Sequence, residues 1–250
     1  MKRRKFNPAA KLAGRAAFGP DGQPKAHVVK VIERAVEVQR PLVLANIRRL
    51  QRKNPSASAA ELVGILDRHY LTAVTGGGAA IGATAVVPGV GTAAALGLSA
   101  AATVGFLEAT ALYAQSVAEL HGVRLEDPEK SRTMVMAIML GEEGTSMMQS
   151  LAGRSSARSW GSTIGSMPSG LMGSVGGSIR RQFLKRFAAR QGTAMLGRTL
   201  PLGVGAVVGG VGNRAMGKGV IKATRNAFGE APATIPGQLA GELDRLEKSA

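Results

Sequence analysis

The feature that most restricts the fold is a stretch of 38 residues, Tyr70–Leu107, without a single charged side chain. Of the 37 residues Leu71–Leu107, 25 are Gly, Ala, Ser or Thr and only 11 are Leu, Ile, Val or Phe. Eight glycines within helices would cost about 6–8 kcal/mol relative to alanine. Close contact between helix backbones, which small residues permit, is the expected compensation.

The uncharged stretch is interrupted by the turn-forming sequence VVPGVG at Val86–Gly91. We therefore expect two apolar helices, Leu71–Val87 and Thr92–His121, which form an antiparallel hairpin that turns at Pro88 and Gly89. Gly122 is expected to end the second helix.

A second uncharged, glycine-rich segment covers Thr199–Asn213. It is expected to pack against the hairpin through small residues. Glycines spaced by four, which is the spacing of close helix contacts, occur in both segments: Gly78 and Gly82 in the first, Gly205 and Gly209 in the second.

Three environments remain open for the hairpin. A helix of about 17 residues is about 25 Å long at 1.5 Å per residue, which is less than the roughly 30 Å of a bilayer core. Burial in a protein core and shallow or re-entrant insertion are thus favoured over full spanning of the membrane.

Charge is distributed unevenly along this basic chain of net charge +16. Residues 1–53 carry +11 and residues 147–229 carry +12, whereas residues 54–146 carry −5 and the last 21 residues carry −2. Two basic segments on either side of an apolar centre favour a polyanionic partner, either an anionic lipid surface or nucleic acid. A basic surface that only promotes solubility is the alternative.

The N-terminus is predicted to be a disordered basic arm over residues 1–23. Its beginning, MKRRK, resembles the start of a signal peptide, but Lys11 and Arg15 interrupt any apolar segment. An organellar transit peptide is a minor alternative. The absence of cysteine fits a reducing compartment and excludes disulfides and thiolate metal sites. The expected location is the cytoplasm or the cytoplasmic side of a bacterial inner membrane.

The remaining segments predict an all-α protein, because no strand-like alternation occurs. A helical pattern from Pro24 should be kinked or split at Pro41. Ser58 and Glu61 form a capping box for a helix that continues to Tyr70. Asp127 precedes a first-turn proline and so should cap another helix.

Two regions in the second half of the chain have less regular sequence patterns. Residues 153–177 are rich in Ser, Gly and Met and are expected to be an irregular insertion or a broken helix. Residues 230–250 predict a short amphipathic helix, whose apolar side chains are Ile235, Leu239, Leu243 and Leu246.

Ser178–Gln191 predicts a basic amphipathic helix, in which Ile179, Phe183 and Phe187 recur every fourth residue. We expect its cations to bind an anionic bilayer and its two phenylalanines to insert into it. The complete set of predicted membrane-binding residues is Arg180, Arg181, Phe183, Lys185, Arg186, Phe187, Arg190, Lys218, Lys222 and Arg225.

No catalytic or cofactor-binding pattern stands out. Gly89–Ala94 matches G-x-G-x-x-A, yet no βαβ pattern surrounds it. Ser99 lies in an incomplete nucleophile-elbow sequence within a helix. The three histidines His27, His69 and His121 do not have metal-ligand spacing. We therefore expect a protein that is not an enzyme and that uses no cofactor and no metal.

The order of several motifs resembles the EcsC protein family. They are the PG hairpin, the acidic turn in AELHGVRLEDPE, the segment MLGEEG, and PLGVGAVVGGVGN before a basic helix. The resemblance covers Glu61–Gly144 and Leu196–Gly229 and implies an EcsC-like helical domain over residues 24–229. The family, named from an operon shared with an ABC transporter, has no defined molecular role, so the resemblance implies no catalytic residue. The matching positions are Gly77, Gly78, Gly82, Pro88, Gly89, His121, Gly122, Asp127, Pro128, Glu129, Pro201, Gly205, Gly209, Gly210 and Asn213.

Three functional hypotheses follow. The first is a non-enzymatic protein at an anionic membrane face, with a membrane protein or a second copy of the chain as a further partner. The second is a nucleic-acid-binding protein, although its basic segments lack interleaved aromatic residues. The third is a carrier that encloses an apolar small molecule or lipid between glycine-lined helices.

Overall fold

The all-α prediction is confirmed by the computed structural model, which describes Ala17, Gly19 and residues 23–84, 92–152, 160–197 and 204–248. No β-strand occurs among these residues. The helices are α1 Ala26–Ala35, α2 Arg40–Lys53, α3 Ala59–Thr84, α4 Thr92–Leu120, α5 Pro128–Leu140, α6 Glu142–Ala152, α7 Trp160–Ser166, α8 Ser169–Gly197, α9 Val204–Phe228 and α10 Gly237–Lys248.

Local signals fix several helix ends. The helical pattern that begins at Pro24 is split as expected, because α1 ends at Ala35 and Pro41 lies in the first turn of α2. The capping box at the start of α3 is present: the Glu61 amide donates to Ser58 Oγ at 3.2 Å, and the Ser58 amide donates to Glu61 Oε2 at 2.8 Å. The Ser58 hydroxyl also donates to Glu61 Oε2 at 3.0 Å, and the bonds from the Ser58 amide and hydroxyl lower the pKa of the Glu61 carboxyl.

The uncharged stretch forms a helical pair, but its first helix is longer than expected. The predicted helices from Ser58 to Tyr70 and from Leu71 to Val87 are one continuous helix, α3. Its partner α4 runs antiparallel, since Asp67 contacts Tyr113 while Tyr70, further along α3, contacts Thr110, further back on α4. The turn residues Pro88 and Gly89 lie outside the described residues.

The helix α9 makes the most extensive contact with α3 and also runs antiparallel to it. A Cβ at Gly210 would lie 3.5 Å from Ala79 Cβ, and one at Gly217 would lie 3.0 Å from Val74 Cγ2. Between them, Asn213 Nδ2 donates to the Val74 carbonyl at 3.1 Å. Small residues thus let α9 lie directly on the uncharged half of α3.

A tight turn ends α4 and leads into α5. Gly122 has φ of 77°, its amide donates to the Glu119 carbonyl at 2.9 Å, and the Val123 amide donates to the Ala118 carbonyl at 2.9 Å. This is the Schellman pattern, which favours glycine at the left-handed position. Asp127 then caps α5 by accepting from the Glu129 amide at 2.8 Å.

Of the two expectations for residues 153–177, an irregular insertion or a broken helix, the described part fits the broken helix. Residues 160–177 form α7 and the start of α8, with a break at Met167 and Pro168. Trp160, Ile164 and Met172 are fully buried in the core. Burial of these large side chains offsets the low helix propensity of the surrounding glycines. Residues 153–159 lie outside the described residues.

The direction of α8 follows from its contacts with α5. A Cβ at Gly176 would lie 2.9 Å from Thr133 Oγ1, whereas Arg186, further along α8, donates to the Leu140 carbonyl at 3.0 Å. The helices α5 and α8 are therefore parallel to each other, whereas α9 is antiparallel to α3.

The C-terminal helix is confirmed as α10. Leu239 and Leu243 are buried, Ile235 packs partly buried in the preceding segment, and Leu246 is exposed.

The contact between α3 and α9 gives a direct test of the role of its glycines. Gly217→Leu should lower the free energy of unfolding by about 1–3 kcal/mol, because the new side chain must displace Leu71 and Val74. Gly219→Leu, on the exposed side of the same helix with nothing within 4 Å of its Cβ position, should be neutral or stabilising. Denaturant unfolding compares the two variants, and equal effects would contradict close packing at Gly217.

Candidate functional site

Three uncharged helix segments meet at one end of the bundle. They are residues 71–84 of α3, 92–107 of α4 and 204–213 of α9, which we call the uncharged end. The antiparallel pairing of α3 with both neighbours brings the three segments side by side. They are far apart in sequence, so their meeting is a property of the fold.

Much of the uncharged end faces solvent. Among the residues of the three segments whose burial is described, the exposed ones are Thr72, Ala73, Gly76, Gly77, Ala100, Ala101, Gly105, Val211 and Gly212. Val211 is 61% exposed and is the largest apolar side chain among them. Clustered uncharged and apolar surface of this kind marks an interaction surface more often than isolated exposed residues do.

Basic side chains lie at the boundary of the uncharged end on two of its three helices, α3 and α9. Arg68 on α3 and Arg214 and Lys218 on α9 are exposed, and we call these three residues the basic collar. Their level follows from the helix register, because Gly217 lies against Leu71 and Val74. None of the three has an ion-pair partner within the described part of the chain. Glu108 on α4 is an exposed acid at the same level.

Four of the cations predicted on α8, namely Arg180, Arg181, Lys185 and Arg186, are at the surface, and two of these have acidic partners. Arg180 pairs with Glu33, and Arg186 Nη1 lies 2.8 Å from Glu143 Oε2. Arg181 and Lys185 are exposed. Arg190 lies on the same helix, one turn beyond Arg186.

The prediction that Phe183 and Phe187 insert into a bilayer is wrong for this conformation. Phe183 is 4% exposed and belongs to the core, and Phe187 packs partly buried beside it with ring centroids 6.1 Å apart. Ile179 is also buried. An amphipathic helix has the same residue pattern whether its apolar face meets a protein core or a bilayer, and here it meets the core.

The three predicted basic residues of α9 differ in their surroundings. Lys218 belongs to the basic collar, while Lys222 Nζ lies 3.4 Å from Glu142 Oε1 in an exposed pair. Arg225 Nη2 lies 2.5 Å from Asp67 Oδ2, and this contact and the charge of Asp67 raise the pKa of Arg225. Arg225 therefore acts within the fold, whereas the side chain of Lys222 stays largely exposed to solvent.

A buried polar group that sequence analysis missed lies directly beneath the uncharged end. Tyr113 donates to Asp67 Oδ1 at 2.6 Å and stacks on Tyr70 with ring centroids 4.6 Å apart, and the Tyr70 hydroxyl lies 2.8 Å from Thr110 Oγ1. With Arg225 these residues form the Asp67 cluster. Burial raises the pKa of both tyrosine hydroxyls, and the carboxylate of Asp67 raises that of Tyr113 further. The spacing of three residues in each pair, Asp67 with Tyr70 and Thr110 with Tyr113, is the signal that could have revealed it.

The glycines predicted to pack helices are placed only in part. Gly78 is buried on α3, Gly82 lies further along the same helix, and Gly205 and Gly209 lie in the first turns of α9. In the contact between α3 and α9, the described glycines of α9 that lie against α3 are Gly210 and Gly217.

The described residues offer no grouping of three His, Asp or Glu side chains able to hold a metal ion. His27 and His69 are exposed, and His121 bonds through Nδ1 to the Val117 carbonyl at 2.8 Å. Two surface cavities lie near the end of α4 rather than at the glycines of the hairpin. The larger, of about 490 Å³, is lined mainly by charged residues. The smaller, of about 120 Å³, is lined by Arg40, Glu119 and Arg124 together with uncharged residues that include Leu239.

No match was found when the chain was compared with protein-family models, with curated proteins and with solved structures. The resemblance to the EcsC family stays a prediction. Within the described ranges, every helix is either too short or too polar to cross a bilayer.

The Asp67 cluster predicts energetic coupling between α3 and α9. In a double-mutant cycle of Asp67→Asn and Arg225→Ala, the coupling free energy should be about 0.5–3 kcal/mol, because the carboxylate is almost fully buried. The exposed pair Glu142 and Lys222 provides the control and should give about 0–0.5 kcal/mol. Denaturant unfolding supplies both values, and similar coupling in the two cycles would contradict a special role for Asp67.

Proposed function

We propose that this protein is a non-enzymatic, membrane-associated helical protein that binds anionic bilayers. The uncharged end enters the headgroup region and the upper acyl chains, and the basic collar contacts lipid phosphates. The observation that carries this proposal is the meeting of three uncharged helix segments at one end, with exposed cations at its boundary that form no ion pair with any described residue. The proposed location is the cytoplasmic face of a bacterial inner membrane, because that leaflet is anionic.

Helix lengths support shallow insertion. The uncharged part of α3, residues 71–84, is about 21 Å long and that of α4, residues 92–107, is about 24 Å long at 1.5 Å per residue. The hydrocarbon core of a bilayer is about 30 Å thick, so the uncharged end reaches little further than one leaflet and its headgroups. Intrahelical hydrogen bonds satisfy the backbone along these segments.

The two contributions to binding should respond differently to salt. Each basic side chain near an anionic surface contributes roughly 1 kcal/mol, and this attraction weakens as the Debye length shortens from about 10 Å at 0.1 M to about 3 Å at 1 M salt. Insertion of the uncharged end depends on apolar area and should persist in high salt.

The basic collar can be tested by reversing its charge. Arg214→Glu with Lys218→Glu should weaken co-sedimentation with vesicles that contain phosphatidylserine about tenfold or more at 0.1 M salt, and the difference should shrink at 1 M salt. Lys30→Glu with Arg34→Glu changes net charge equally at exposed positions of α1 and should have a smaller effect. Equal losses in the two variants would show that net charge alone determines binding.

The uncharged end can be tested with two exposed valines. Val211→Asp places a charge within the uncharged end and should reduce the binding that remains in 1 M salt, whereas Val31→Asp on α1 should not. Neither valine is buried, since Val211 is 61% and Val31 is 50% exposed, so both variants should fold.

These experiments also separate the remaining alternatives. Tight binding to duplex DNA in the same buffer, together with indifference to vesicle charge, would replace the membrane proposal with nucleic-acid binding. Extraction of a lipid monomer without vesicle binding would favour the carrier. The described cavities give the carrier no support, because both lie near the end of α4, away from the glycine-rich helices, and charged side chains form part of each lining.

A further inference from the structure

The C-terminal helix α10 occupies a groove at the opposite end of the bundle from the uncharged end. It lies over Arg40 of α2 and the last turn of α4, which contains Glu119. Leu239 and Leu243, four residues apart on one face, are its buried side chains among the described residues. The rest of the helix, apart from Ala240 and Glu242, faces solvent.

A carboxylate holds α10 in this groove. Glu242 Oε2 lies 2.8 Å from Arg40 Nη1, and its Oε1 lies 3.2 Å from Arg124 Nη1. Arg40 is fixed independently of α10, because Glu119 binds its guanidinium at two points, 2.6 Å at Nε and 3.0 Å at Nη2. The receptor for the carboxylate is therefore built from the rest of the fold.

The segment before α10 has contacts of its own with the bundle. Residues 229–236 are not helical, the Pro232 carbonyl accepts from the Ala60 amide at 3.2 Å, and Ala231 and Ile235 pack partly buried on the core. Gly237 has nothing within 4 Å of its Cβ position. A change in direction at Pro236 and Gly237 can thus release α10 while its anchor stays in place.

We propose that this groove is a recognition site for an amphipathic helix that carries a carboxylate between two leucines, and that α10 is its displaceable occupant within the chain. The partner is an acidic helix of another protein with the same Leu-x-x-Glu-Leu arrangement as Leu239–Leu243. Such a helix places its two leucines in the apolar part of the groove and its carboxylate between Arg40 and Arg124.

Acid should loosen the occupant. The hydrogen bond from Arg40 lowers the pKa of Glu242, and the charges of Arg40, Arg124 and Arg245 add to this. Glu119 and Glu126 lie on the far sides of Arg40 and Arg124 and share those cations. When the pKa of a carboxyl is lower in the folded state than in the unfolded state, its ionised form stabilises the folded state at pH above the unfolded-state pKa. This stabilisation is lost as the pH falls through the folded-state pKa.

Hydrogen exchange of the full-length chain tests the displacement. Glu242→Gln should accelerate exchange of the α10 amides about tenfold or more, because hydrogen bonds to charged groups are lost, while α3 and α9 keep their protection. Glu247→Gln, on the exposed side of the same helix, should leave exchange unchanged. Equal exchange of α10 in the wild type and both variants would overturn the displaceable occupant.

A fluorescent peptide of residues 236–250 tests recognition by the emptied groove. The full-length variant Leu239→Ser with Leu243→Ser, whose own α10 has lost its apolar contacts, should bind the peptide at least about tenfold more tightly than the wild type does. The same peptide with Glu242→Gln should bind more weakly, by a similar factor. Absence of peptide binding to this variant and to Glu242→Gln protein, in each case with protected α3 and α9 amides, would overturn the recognition site.

Discussion

Close contact between α3 and α9 is the packing interaction on which the rest of the structure depends. A helix with as many glycines as the second half of α3 is weak by itself, since each glycine costs close to 1 kcal/mol relative to alanine. Contact at Gly210 and Gly217, with the bond from Asn213 to the Val74 carbonyl, allows dispersion along the whole length of both helices. The pairing also underlies the proposed function, because it brings the uncharged segments of two distant parts of the chain to one end.

The Asp67 cluster complements this contact. Packing between small apolar residues sets the distance between two helices but does little to set their register. A buried carboxylate sets the register, because only one arrangement of the helices brings both of its hydrogen-bond donors into place. Tyr113 and Arg225 bond to different oxygens of Asp67, so α4 and α9 are both positioned against α3 at the same level. The Asp67 cluster therefore lies where the uncharged end meets the rest of the helical bundle.

The sequence predicts those parts of the fold that local chemistry determines. The split at Pro41, the capping box at Ser58, the cap at Asp127 and the stop at Gly122 depend on residues within one or two turns, and all are present.

The continuity of α3 through Tyr70 was missed, because a change from charged to uncharged residues resembles a helix boundary. For residues 160–177 the sequence left a broken helix and an irregular insertion as alternatives, because burial of Trp160 and Met172 offsets the low helix propensity of the glycines only after tertiary packing. Phe183 was assigned to a bilayer because helical periodicity shows which residues share a face but not what covers that face. The basic collar could not be predicted, because Arg68 is brought to the same level as Arg214 and Lys218 only by the pairing of α3 with α9.

Insertion of the uncharged end into a bilayer is the central claim, and depth-dependent quenching of single labels measures it directly. The chain contains no cysteine, so Val211→Cys and Val31→Cys each provide one labelling site, at exposed positions. With vesicles that contain phosphatidylserine, a fluorophore at residue 211 should shift to the blue and be quenched by bromine or nitroxide groups on the upper acyl chains. A fluorophore at residue 31 should remain accessible to aqueous iodide. Iodide access at residue 211 on bound vesicles, or acyl-chain quenching at residue 31 instead, would contradict the account.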